Sequence, residues 1–183
     1  MTLRVTAAFF VLVLVSNTAF AESGRNMQQI FEDIRDQVNR YTNYTIFDNV
    51  NVTIDGQGVV TLAGHVTMPY KSAELAERVA SVDGVAGVEN KIAALRFSLF
   101  DNDLRYRIAR AIYGNSSLWQ YGIGAIPSIH IVVNRGHVTL AGVVASQVDR
   151  RLTESLARQS LALSVINHLQ TDEEMRREIE RLK

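Results

Sequence analysis

Histidine, cysteine and paired carboxylates carry most acid, base, nucleophilic and metal chemistry near neutral pH. This chain of 183 residues has four His and no Cys. The absence of cysteine removes thiolate metal sites, Cys nucleophiles, a disulfide framework and a lipid-modified N-terminal Cys together. His65, His130, His137 and His168 are scattered over predicted strands and a strand end, in no H-x-x-x-H or similar ligand spacing. His130 and His137 flank one hairpin, yet they read as exposed strand residues and not as a ligand pair. The acids cluster as Glu32, Asp33 and Asp36, and as Asp172, Glu173 and Glu174, on helix faces that read as solvated. A catalytic carboxylate pair needs a pocket, and nothing in the sequence marks one. Gly122-Ile123-Gly124-Ala125 precedes a strand where a dinucleotide fingerprint must follow one. Gly84-Val85-Ala86-Gly87 lacks the basic neighbours of an RNA-clamping loop. The residues point to no catalytic site, no metal and no cofactor.

One stretch has binding character instead. From Leu104 to Val148 there is no Asp or Glu, while Arg105, Arg107, Arg110 and Arg135 are present. At about 100° per residue, Leu104, Ile108, Ala111 and Ile112 form the core stripe of a helix over 101–113. The opposite face carries Tyr106, Arg110 and Tyr113. The loop that follows adds Leu118, the single Trp (Trp119), Tyr121 and Ile123. Cationic and amphipathic aromatic side chains facing outward suit an anionic lipid headgroup layer. The same side chains suit packing against an envelope protein. The expected binding residues are Arg105, Tyr106, Arg110, Tyr113, Trp119 and Tyr121. Bulk charge gives no sign of nucleic acid, since 19 basic residues balance 19 acidic ones.

These residues sit on a pattern that occurs twice. Gly58-Val59-Val60-Thr61-Leu62-Ala63-Gly64-His65-Val66 reappears as Gly136-His137-Val138-Thr139-Leu140-Ala141-Gly142-Val143-Val144. Val88-Glu89-Asn90-Lys91-Ile92 is answered by Val165-Ile166-Asn167-His168-Leu169, with a single residue lost between the matching segments. A repeat of this length decides the architecture before any local reading. In the first copy Met27, Ile30, Phe31, Ile34, Val38 and Tyr41 make an amphipathic helix. Asn49–Ile54 and Val59–Val66 make a hairpin around Asp55-Gly56-Gln57-Gly58. Pro69 opens a second helix, Asp83-Gly84 ends it, and Val85, Val88 and Ile92 begin a third strand. The second copy repeats the order with a helix near 101–113 and strands near 128–134 and 136–144. A helix near 146–160, N-capped by Ser146, and a strand near 162–169 complete it. Thr171-Asp172-Glu173-Glu174 fits a capping box opening a last helix with Met175, Ile179 and Leu182 on one side.

The expected fold is α+β: two tandem αββαβ modules, each a small three-stranded mixed sheet with two helices on one face, plus a C-terminal helix. The modules span 26–95 and 101–170, and the charged helix spans 171–183. The hairpin segments, with the Gly84-Val85-x-x-Val88-x-Asn90 pattern behind them, resemble the signature of BON domains. The second copy departs from that pattern where Leu161-Ala162 replaces Gly-Val at the close of its second helix. The exported, tandem arrangement is similar to osmotically induced and outer-membrane-associated periplasmic members of the family. That resemblance implies attachment to phospholipid membranes or envelope partners, with no enzymatic activity.

Residues 1–21 have the layout of a secretory signal. Arg4 is followed by the apolar run Ala7–Val15, polar Ser16-Asn17-Thr18 and the A-x-A site Ala19-Phe20-Ala21. The run is too short to span a bilayer, which takes about 20 apolar residues. Export to the periplasm, with cleavage after Ala21 and no lipid anchor, is therefore expected. N-terminal sequencing of protein from the envelope fraction should read from Glu22; an intact Met1 would mean a retained anchor.

Overall fold

The computed structural model describes residues 27–123 and 127–181. The expected signal segment and Leu182 lie outside these residues, and Ile179 is described by its backbone alone. The chain divides into two compact units. Among the described residues, the first holds 27–44 together with Val50–Ala94, and the second holds Thr45–Asn49 together with those from Leu95 onward.

The first unit runs α1 (Met27–Asn39), β1 (Asn49–Ile54), β2 (Val59–Val66), α2 (Pro69–Ala80) and β3 (Gly87–Ala94). Its sheet has the order β1-β2-β3, with β2 and β3 parallel. Ile30, Ile34 and Val38 place the buried stripe of α1 at helical spacing. β1 alternates strictly, burying Val50, Val52 and Ile54. The second unit repeats this with α3 (Leu99–Tyr113), β4 (Ile129–Asn134), β5 (His137–Val144), α4 (Gln147–Arg158) and β6 (Ser164–Thr171), then adds α5 (Asp172–Arg181). Its sheet has the order β4-β5-β6, antiparallel then parallel. The parallel pair in each unit follows from the helix that crosses between its strands. The fold is the expected pair of α+β modules, and Leu62 and Leu140 are both fully buried, as the repeated register requires.

Local signals act where they were read. Ser146 accepts a hydrogen bond from the Asp149 amide at 3.2 Å. Thr171 and Glu174 cap one another, the Thr171 amide donating to Glu174 Oε2 at 2.8 Å and the Glu174 amide to Thr171 Oγ1 at 3.2 Å. α3 starts two residues earlier than its apolar stripe suggests, because Ser98 caps it by accepting from the Asp101 amide.

The repeated Asn has one job in both copies. Asn90 Nδ2 donates to the Ser72 carbonyl at 3.0 Å, and Asn167 Nδ2 to the Arg150 carbonyl at 3.1 Å. Each ties the third strand of its unit to the crossover helix. The repeated Gly has another. Gly64 and Gly142 have φ of 139° and 117°, and a Cβ on Gly142 would lie 2.0 Å from the Ser128 carbonyl oxygen. Only glycine fits there. At the departure from the family pattern, Leu161 keeps the left-handed turn that Gly84 makes in the first unit, with φ of 63° against 94°. A side chain in that region costs about 1–2 kcal/mol. Urea denaturation should therefore show Leu161→Gly gaining stability, by about 0.5–1 kcal/mol once the entropy of glycine is counted. Gly142→Ala should lose at least about 2 kcal/mol.

Candidate functional site

The β4–β5 hairpin turns on two residues, Arg135 and Gly136, both left-handed at φ 52° and 78°. This is the backbone that two-residue hairpins favour, but Arg is a poor occupant of it. A helix supplies the compensation. The Asp101 carboxylate, buried in the first turn of α3, accepts from the Arg135 amide at 2.8 Å and the Gly136 amide at 2.7 Å. One turn on, Arg105 is also buried, its Nη2 donating to the Val133 carbonyl at 2.7 Å. Burial lowers its pKa, while the neighbouring Asp101 and Asp48 charges oppose that shift. The Leu163 amide donates to the Gly136 carbonyl at 2.9 Å. The start of α3, the hairpin turn and the α4–β6 connection thus meet at one tip of the second unit.

That tip is apolar and open. A Cβ on Gly136 would stand 3.0 Å from Leu163 Cδ1 and 3.4 Å from Phe100 Cε1, so these two side chains flank the bare glycine. Phe97, Leu99, Phe100, Leu161 and Leu163 are each more than half exposed, Phe97 most of all at 84%. Arg96 and Arg135 stand exposed in the same segments. Large apolar side chains left exposed in adjoining segments, with arginines in the same segments, make this tip the candidate site.

The residues expected from the sequence separate into two groups. Tyr106 and Trp119 are each 57% exposed and Arg110 is exposed, as expected. The Tyr106 ring meets Phe47 edge-on, with centroids 5.2 Å apart. Arg105, Tyr113 and Tyr121 do not face outward. Arg105 is held within the unit by the contacts above. Tyr113 leans back along the helix so that its hydroxyl donates to the Ile129 carbonyl, and burial pushes its pKa well above the tyrosine range. Tyr121 donates to Asp149 Oδ2 at 2.7 Å and accepts from the Ala145 amide at 2.9 Å. Burial, the largest cause, pushes its pKa up to about 12.

His130 is a further correction: it is fully buried, not exposed. The segment Thr45–Asn49 covers β4, with the Ile131 amide donating to the Ile46 carbonyl at 2.7 Å. The His130 ring faces the Asp48 and Thr45 backbone, and burial holds its pKa down. His65, His137 and His168 are exposed. Among the described residues no three His, Asp or Glu side chains gather to hold a metal, and no helix is long and apolar enough to cross a membrane.

The apolar tip was missed because Phe97-Ser98-Leu99-Phe100 reads as a linker and Leu161 reads only as a disturbed turn. The available signal was a cluster of large apolar residues at positions where a compact module places turns.

The BON domain family matches the chain twice, over residues 28–95 and 101–173. The chain belongs to the BON family. BON domains are non-catalytic and are known for phospholipid or envelope-related binding. Among curated proteins no relative matches. Solved structures similar to it include CdsD, described as a structural protein of the type III secretion system of Chlamydia trachomatis. That structure is 14% identical, covering 83% of this chain and 97% of that one with a TM-score of 0.30. The C-terminal domain of CdsD is 13% identical, covering 79% and 98% with a TM-score of 0.31.

Because the Asp101 carboxylate holds two turn amides from a buried position, Asp101→Ala should cost about 2–4 kcal/mol in urea denaturation. Pairing it with Arg135→Gly, which relieves the left-handed strain, should recover part of that loss.

Proposed function

We propose that this is a non-enzymatic envelope protein of the periplasm that docks on anionic phospholipid through the tip of its second BON unit. The observation that carries the reading is the group of exposed apolar residues Phe97, Leu99, Phe100, Leu161 and Leu163, with Arg96 and Arg135 in the same segments. Apolar side chains on a folded rim enter the boundary between headgroups and acyl chains, and arginines beside them meet phosphate oxygens. Family membership and the expected export signal support the same compartment and class of ligand.

The exposed aromatics found from the sequence lie elsewhere. Trp119 follows the C-terminal end of α3, and a 15-residue helix is about 22 Å long. A flat bilayer met end-on by the Phe100 end does not reach Trp119. A second reading, an envelope protein held at that far end, is favoured by one observation. Trp119, Ile123 and Val148 are exposed around Tyr121, which is tied to Asp149 next to Val148.

Sedimentation with phosphatidylglycerol vesicles separates the two. Phe100→Asp and Leu163→Asp should each weaken binding at least tenfold with little loss of thermal stability, because both side chains are exposed. Trp119→Ala should leave binding intact. Loss of binding in Trp119→Ala alone would move the site to the far end, and binding independent of lipid charge would overturn the anionic-lipid reading.

A further inference from the structure

The backbone that carries the apolar side chains is hydrogen-bonded within the tip itself. The Asp101 carboxylate takes the Arg135 and Gly136 amides, and the Gly136 carbonyl takes the Leu163 amide. At the start of α3, Ser98 accepts from the Asp101 amide through Oγ at 3.2 Å and from the Asn102 amide through its carbonyl at 2.9 Å. Amides that already have partners enter an apolar layer without the cost of an unpaired polar group. The same bonds fix the three segments to one another, so their side chains advance as one compact wedge. On that wedge Phe97 is 84% exposed, Leu99 and Leu161 are each 76% and Leu163 is 71%. Charge is sparse by comparison. Arg96 and Arg135 are exposed, and Asp101 places a carboxylate beneath the turn.

Resting on the membrane reading above, we infer that the tip senses lipid packing: it selects bilayers whose headgroups are already spread apart, as on small, strongly curved vesicles. A wedge of fixed shape has to separate headgroups before its apolar side chains reach hydrocarbon. The work of doing so falls where curvature has opened the leaflet, and interfacial binding through apolar side chains is sensitive to curvature for this reason. Charge acts differently. A basic residue is drawn to a phosphate layer whether or not the headgroups are spread, and it raises affinity about fivefold. Two exposed arginines above a buried carboxylate add too little to draw the wedge into a tightly packed leaflet. The state of the lipid then governs attachment.

The test is flotation of the full chain from Glu22, free of the apolar signal run, with phosphatidylglycerol–phosphatidylcholine vesicles of one composition. Vesicles of about 30 and about 200 nm diameter are compared at equal outer-leaflet lipid. Wild type should bind the small vesicles more tightly by at least about fivefold, the factor that one basic residue supplies. Leu99→Ser with Leu163→Ser should bind both sizes weakly and alike, with thermal unfolding verifying the fold. Phe97→Ser, at the most exposed of these side chains, should narrow the ratio on its own. Arg96→Gln should weaken binding to both sizes by one factor and keep the ratio. Equal wild-type binding at the two sizes, or tighter binding to the large vesicles, overturns the inference and leaves the membrane reading standing. A size ratio unchanged in the leucine pair and in Phe97→Ser overturns the assignment to the tip. A ratio lost in Arg96→Gln overturns the assignment to packing in favour of charge. No wild-type binding to either size overturns the membrane reading, and this inference with it.

Discussion

The two-residue turn of the β4–β5 hairpin holds both of its residues in left-handed backbone, and one of them is arginine. The buried carboxylate of Asp101 makes that turn tenable by taking both of its amides. Because Asp101 lies in the first turn of α3, the same contact fixes where that helix begins relative to the sheet. The residues just before and within that turn, Phe97 to Phe100, are then committed to the tip. The Leu163 amide joins from the other side through the Gly136 carbonyl. Two carboxylate bonds and one amide bond thus bring together three segments separated along the chain.

The first unit reaches the same sheet without this device. Its turn is four residues long, and Asp55 satisfies it locally, Oδ1 accepting from the Gln57 and Val59 amides at 2.9 Å each. No helix is needed to hold the turn, and the side chains exposed around it include Asp55, Gln57 and Asp83. The two copies therefore agree in what builds a module and differ at the surface. Leu161 shows the difference most plainly. It occupies a backbone position that glycine fills in the first unit, and it exposes a large apolar side chain while carrying the strain. Sites that break a local rule with no gain in packing are where function is expected to reside.

The architecture was legible because it is carried by periodicity, by caps and by an internal repeat, all of which are local or self-referential. Ser146, Thr171 with Glu174, and the matched Leu62 and Leu140 belong to that class. The binding face was legible only in part. A helical wheel treats each side chain as a direction, whereas Arg105 and Tyr113 are long enough to bend back to backbone carbonyls on β4. His130 was misread for a different reason. Alternation along β4 predicts one solvated face, and the segment that covers it, Thr45–Asn49, lies more than eighty residues away in the sequence. No window over β4 contains that fact.

The acid-free stretch from Leu104 to Val148 also changes meaning once its charges are located. Arg105 is engaged inside the unit, and Arg107 pairs with Asp103, which lies just before the stretch. What remains outward near the tip is Arg135, joined by Arg96 from before the stretch. A basic residue near an anionic surface contributes about 1 kcal/mol, whereas full burial of one Leu or Phe contributes about 1.5–3 kcal/mol. With five apolar side chains at the tip against two arginines, burial would supply most of the proposed attachment even when insertion is partial. In that proposed docking the arginines would set the preference for anionic over neutral lipid and the dependence on salt. The proposed docking accordingly assigns affinity and selectivity at this tip to different residues.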